Sequence, residues 1–166
     1  TSAYVQLGAV GMRQVVADQF KDKVFASGLT YNSHPLACAA GLAALATYEE
    51  EKLIENARRM GAVMAELHAD LARRHPSVGA VRSLGLFGIF ELVRNRKTRA
   101  PLAPFNGTSE AMKALAKFFR EEGLYTFVRW NTFFTNPPLS INESEMRQAF
   151  AIIDRGLEIT DKYVDS

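Results

Sequence analysis

Between Lys52 and His75 the apolar positions Leu53, Ala57, Met60, Met64, Leu67 and Leu71 advance in steps of four, three, four, three and four. That is the period of one helix face, so the spacing predicts an amphipathic helix over 52–75. Arg58, Glu66, Asp70 and Arg73 fall elsewhere on its surface, and Pro76 stops it. The methionines read as packing residues. Upstream the pattern changes. Residues 36–48 are apolar nearly all round, which predicts a buried helix, and Pro35 suits its first turn. Glu49, Glu50 and Glu51 then mark a break. Residues 3–10 read as a strand, 12–21 as a short amphipathic helix carrying Val15, Val16 and Phe20, and 24–27 as a brief apolar run.

Downstream, residues 78–93 read as one or two strands, with Gly79, Gly85 and Gly88 at bends or close approaches. Arg94, Arg96, Lys97 and Arg99 read as a solvated basic loop; the alternative is a phosphate or nucleic-acid patch, which the lack of interleaved aromatics disfavours. Thr108 or Ser109 is placed to cap a helix running through Glu122, with Met112, Leu115 and Phe119 on one face and Gly123 ending it. Residues 125–130 read as a strand that Phe133, Phe134 and Thr135 can pair with, before Pro137 and Pro138 end the extension. Asn142 and Glu145 have the spacing of a capping box, and Ile141 can staple onto Met146. Met146, Phe150, Ile153 and Leu157 then line the inner face of a last helix. This order predicts a second half of α+β type: a small antiparallel sheet covered by helices. The boundary falls near residue 50.

Composition narrows the function classes. The 166 residues are 48% apolar and 23% charged, as in an ordinary globular chain, and the net charge of +2 points to neither nucleic acid nor a membrane surface. No apolar run is long enough to span a membrane, and no export signal is visible. Cys38 is the single cysteine and reads as a small buried hydrophobe. His34, His68 and His75 show no metal-ligand spacing. Lys21, Lys23, Lys52, Lys97, Lys113, Lys117 and Lys162 all sit in charged settings and read as solvated.

One stretch carries candidate chemistry. Gly28-Leu29-Thr30-Tyr31-Asn32-Ser33-His34-Pro35 is a polar loop feeding a helix N-terminus. Hydroxyls, unpaired N–H groups and the positive end of the helix dipole favour an anion such as a phosphate. The plain alternative is an ordinary helix cap.

This stretch, continued through Ala40, resembles the class III aminotransferases, which use pyridoxal 5′-phosphate (PLP). Three further segments resemble the family, in its order: Leu7-Gly8-Ala9-Val10, then Val81-Arg82-Ser83-Leu84-Gly85-Leu86-Phe87, then Val128-Arg129 followed by Asn136-Pro137-Pro138-Leu139. The resemblance implies an α/β protein of PLP-dependent transferase fold type I. Residues 1–50 would be the end of the large domain and 51–166 the α+β C-terminal small domain. It implies that Leu29 and Thr30 bind the cofactor, Thr30 bonding its phosphate across a homodimer interface. It implies that Arg129 binds the substrate carboxylate, for which a guanidinium fork is suited. The alternatives are a turn residue for Thr30 and a surface arginine paired with an acid for Arg129.

Thr1-Ser2-Ala3-Tyr4 resembles the tail of the family's lysine segment, so the Schiff-base lysine is expected about three positions before Thr1. No catalytic residue is then expected within the chain, which alone should not transaminate. The expected activity of the parent protein is amino-group transfer from an ω-amino acid or amine to a keto acid such as pyruvate or 2-oxoglutarate. The alternatives are an aminomutase or decarboxylase of the same family, or a non-catalytic module of the fold. Two departures stand out: Gln6 replaces a common proline, and Trp130-Asn131-Thr132-Phe133-Phe134 is bulkier than the family's usual small residues. A cytoplasmic location is expected, with no metal, nucleic acid or membrane partner.

Overall fold

The structure, a computed structural model, describes residues 3–165. Thr1 and Ser2, the start of the lysine-segment resemblance, lie outside the described residues. The chain forms two compact units, residues 1–52 and 53–166.

In the first unit the helical pattern over 12–21 yields only a short helix α1 (Gln14–Ala17) and a 3-10 turn (Asp18–Phe20). The main element is α2 (Pro35–Glu50), which begins at the proline as expected. Residues 3–10 form no strand. A strand exists only where another supplies ladder partners, and the described residues of this unit form none. The expected burial of α2 is also corrected. Ala37 is its only buried residue, Cys38 is half-buried, and Leu36, Leu42 and Leu45 are 63%, 69% and 65% exposed. Periodicity reports how apolar a helix is, and burial depends on what packs over it; within this unit Leu7 lies against Gly41 of α2.

The second unit begins after a break at Lys52, whose φ is +50. Helix α3 (Leu53–Arg74) carries the expected stripe, with Leu53, Met60, Met64 and Leu71 buried. Then come β1 (Val78–Leu84), β2 (Phe87–Asn95), β3 (Ala100–Pro101), α4 (Glu110–Glu121), β4 (Val128–Arg129), β5 (Thr132–Thr135) and α5 (Glu143–Asp161). The sheet runs β1-β2-β5-β4, with β3 also on β2, and every pairing is antiparallel. The long strand over 125–130 is cut back to Val128–Arg129, although Phe134 N–H still donates to Phe127 O at 3.1 Å. Trp130 belongs to the turn.

Local signals set the ends of the helices. Ser109 accepts from Met112 N–H at 3.3 Å and caps α4. Gly123, at φ +76, follows α4, with Gly123 N–H on Arg120 O (3.2 Å) and Leu124 N–H on Phe119 O (2.8 Å), the paired bonds of a Schellman stop. Asn142 and Glu145 form the reciprocal capping box of α5, at 2.9 and 3.0 Å.

One face of the sheet packs on the three long helices. Phe90 and Phe133 are register partners, stacked at 4.7 Å and 8°, and Phe119 meets Phe133 edge-on at 5.3 Å. Met64, Leu92, Leu115, Met146 and Leu157 complete the centre, all at most 1% exposed. Burying each such side chain is worth about 1.5–3 kcal/mol, so this cluster holds the unit together. Gly88 sits at the tightest approach. A Cβ there would lie 2.2 Å from Thr135 Oγ1 and 2.5 Å from His68 Cε1.

Candidate active site

The loop before α2 is built from two turns. Asn32 N–H donates to Leu29 O at 3.0 Å and His34 N–H to Tyr31 O at 3.3 Å, with Ser33 at φ +54. Tyr31 stacks on His34 at 5.2 Å. Leu29 is 78% exposed, and Thr30 is exposed with no hydrogen bond from its hydroxyl among the described residues. His34 stands at the N-cap position but provides no side-chain cap. The first donor returned into the helix is Cys38 N–H, to His34 O at 3.0 Å, so the N–H groups of Leu36 and Ala37 precede it. An uncapped helix start, a neighbouring free hydroxyl and no carboxylate over 28–34 make a donor set that fits a phosphate.

Arg129 ends β4 in the second unit. It pairs with Thr132 of β5, whose hydroxyl donates to Arg129 O at 2.8 Å. The guanidinium carbon lies 4.2 Å over the ring of Trp130, and Trp130 packs on Phe105 at 4.3 Å. Arg129 opens onto a cleft of about 420 Å³. Lys113, Arg120 and Arg129 line it with Asn106 and Thr108, and no Asp or Glu does. Lys113 is paired with Glu110 at 2.9 Å, while Arg120 and Arg129 have no ion pair among the described residues. The cleft is thus cationic. A second hollow of about 400 Å³, between the β4–β5 hairpin and α5, is lined by Tyr125, Phe127, Phe134, Pro137 and other residues without one charged side chain. It offers polar groups such as Tyr125, Thr126 and Asn136, and no cation to pair with a carboxylate. Leu29 and Thr30 lie on the first unit and Arg129 on the second, so neither unit alone brings them together.

The family-like segments around Arg129 are structural as well. Val81–Phe87 covers the end of β1, the Gly85–Leu86 turn with Gly85 at φ +56, and the first residue of β2. Asn136 accepts from Gly88 N–H at 3.3 Å, and Asn56 of α3 donates to the carbonyls of Leu139 and Ile141 at 2.7 and 2.9 Å.

Three polar groups have surroundings that the sequence does not display. His75 stands apart from other ligand types along the chain, yet its Nε2 lies 2.7 Å from Asp154 and its Nδ1 2.7 Å from Asp161. Asp154 also takes Arg74 at 2.8 and 3.0 Å, which holds its carboxyl below the usual carboxylate range despite partial burial. His68 is 2% exposed; its Nε2 meets Thr135 Oγ1 at 2.9 Å, and Nδ1 has no partner among the described residues. Desolvation pushes its pKa down to about 4. Arg96 is exposed, as a solvated loop residue would be, yet it also donates to the carbonyls of Ala72, His75 and Val78 and so ties down the end of α3. These partners lie 18 or more residues away in sequence, beyond any local pattern.

Among the described residues no group of three or more His, Cys, Asp or Glu side chains is placed to hold a metal. Nor, among these residues, is any helix long and apolar enough to cross a membrane. All the lysines are exposed.

The comparisons agree over nearly the whole chain. The family model Aminotransferase class-III matches residues 3–157. The putrescine–pyruvate aminotransferase of Pseudomonas aeruginosa is 30% identical over 96% of this chain and 34% of its own length. The ethanolamine-phosphate phospho-lyase homolog 1 of Caenorhabditis elegans is 28% identical over 94% of this chain and 33% of its own. The taurine:2-oxoglutarate aminotransferase of Bifidobacterium kashiwanohense, solved with PLP and glutamate, superposes with a TM-score of 0.83 at 30% identity, covering 92% of this chain and 34% of that one. The chain thus spans about a third of the length of these relatives. On the match of family model, sequence and structure together, it belongs to the class III aminotransferases, with the PLP-dependent transferase fold that the resemblance implied.

Proposed function

We propose that this chain is the C-terminal part of a PLP-dependent aminotransferase that moves an amino group from an ω-amino acid or amine to a keto acid such as pyruvate or 2-oxoglutarate. The observation that carries the reading is the cationic cleft at Arg129, which holds unpaired guanidinium groups and no acid. A carboxylate is the complement of such a cleft. The relatives named above as aminotransferases are described as acting with pyruvate or 2-oxoglutarate, both keto acids.

PLP, when bound, supplies the electron sink of the reaction and carries the amino group between substrates. This chain's residues have two tasks. Thr30, with the loop N–H groups at Leu29 and the start of α2, holds the phosphate and fixes the cofactor's position. Arg129 orients the acceptor by its carboxylate, so that the keto carbon is presented rather than the acid end. The lysine that carries the cofactor would lie a few positions before Thr1, and the chain alone would be inactive. We assign residues 1–50 to the end of the large domain and 51–166 to the small domain. A homodimer follows from the same reading, since Thr30 would serve the partner's site; the exposed leucines of α2 are consistent with a covered surface in that assembly. A reducing cytoplasm suits the free thiol of Cys38.

The test uses the PLP-loaded protein expressed from its full reading frame. Amino transfer from a panel of amines is measured with a keto acid and with an uncharged aldehyde as acceptor. Arg129→Ala should raise KM for the keto acid by about 10–100-fold and leave the aldehyde reaction nearly unchanged. Equal effects on both acceptors, or none, would reject the carboxylate role.

A further inference from the structure

Trp130 is the first residue of the two-residue connection between β4 and β5, and its φ is +54. A bulky aromatic seldom adopts this left-handed region, because its Cβ crowds the next carbonyl. Glycine or asparagine would make the same turn with less strain. Such strain persists only where the surroundings impose it, and it gathers at functional positions. The surroundings do impose it here. Leu92 N–H donates to Asn131 O at 2.7 Å, Asn131 Nδ2 donates to Leu92 O at 2.9 Å, and Thr132 Oγ1 donates to Arg129 O at 2.8 Å. The hairpin tip is thereby pinned to the central strand β2.

What the indole gains is contact. One side packs on Phe105 at 4.3 Å, and the Arg129 guanidinium carbon stands 4.2 Å from its ring centre. An acid in that place would orient the arginine but would occupy its N–H groups and cancel its charge. An aromatic face attracts the cation through its quadrupole and leaves all five N–H donors for another partner.

We propose that Trp130 is the positioning residue for Arg129: it holds the guanidinium over the indole face and leaves its N–H donors free for the carboxylate of the acceptor acid. The inference rests on the reading of Arg129 given above. It makes Trp130 a determinant of preference for acids over uncharged carbonyl compounds.

The experiment uses the PLP-loaded protein from its full reading frame and the variants Trp130→Leu, Trp130→Phe and Arg129→Ala. KM and kcat are measured for the better of pyruvate and 2-oxoglutarate and for an uncharged aldehyde, with one amine donor throughout. Propionate, which cannot react, is measured as a competitive inhibitor. Trp130→Leu should raise KM for the keto acid and Ki for propionate by about 3–20-fold. Its kcat should stay within about twofold, the aldehyde KM should not move, and Trp130→Phe should recover most of the loss. If Trp130→Leu shifts both acceptors alike, or shifts neither, while Arg129→Ala acts on the acid alone, the positioning role is wrong and the carboxylate role of Arg129 stands. If Arg129→Ala leaves the acid unaffected, both fall.

Discussion

Nε2 of His75 lies 2.7 Å from Oδ1 of Asp154, joining the end of α3 to α5. The same ring meets Asp161 through Nδ1 at 2.7 Å, and Asp161 in turn accepts from Ser77 N–H at 3.0 Å. His75 is 4% exposed, and removing it leaves two partly buried carboxylates without their shared partner. His75→Phe should therefore cost about 2–4 kcal/mol of stability at pH 7, read by urea denaturation of the chain. A loss below about 0.5 kcal/mol would mean that water replaces the ring freely.

Asp154 adds a pH dependence of known sign. Its folded pKa is depressed, chiefly by Arg74, so its contribution is present above the unfolded value and is lost as pH falls through the folded one. Asp154→Asn should flatten the stability curve below about pH 4 and lower it at neutral pH. The check is Tm against pH for both proteins.

His68 acts higher on the pH scale. Its folded pKa is about 4, below the ordinary 6.5, so the unfolded chain binds its proton first as pH falls. Stability should then decline from pH 6.5 toward pH 4, by on the order of 3 kcal/mol if the histidine alone is responsible. His68→Leu should remove most of that decline, at the cost of the bond to Thr135. An unchanged slope between pH 6.5 and 4 would place the titration elsewhere.

Gly88 tests the packing of the same corner. An added Cβ would stand 2.2 Å from Thr135 Oγ1 and 2.5 Å from His68 Cε1, so Gly88→Ala must displace both side chains. The expected loss is about 1–3 kcal/mol by urea denaturation. An alanine variant as stable as the parent would show that this corner has room to relax.

These sites also mark how far the sequence could be read. The caps at Ser109 and Asn142, the stop at Gly123 and the stripe on α3 depend on neighbours within a few residues, and each is legible along the chain. The His75 clasp and the Arg96 closure join residues 18 to 86 positions apart, which no local period encodes. The strand expected over 3–10 and the burial expected for α2 depend on surfaces outside their own segments. At the candidate site, motif likeness singles out Leu29, Thr30 and Arg129. The contact between Arg129 and Trp130 needs the turn geometry, which only the fold displays.

Thr30 gives the most direct test of cofactor holding by this chain. Thr30→Val keeps the shape and removes the donor. In the protein from its full reading frame, PLP affinity measured by absorbance titration should weaken by about 10-fold or more. An unchanged Kd would reduce Thr30 to a turn residue.

If this chain completes a PLP-dependent aminotransferase, its cofactor lysine lies just upstream. The decisive measurement is to load the protein from its full reading frame with PLP, reduce with borohydride, and map the pyridoxylated peptide by mass spectrometry. The label is expected on a lysine about three positions before Thr1, the spacing implied by the family's lysine segment. A label on Lys21, Lys113 or any other lysine within this chain, or no label at all, would contradict it.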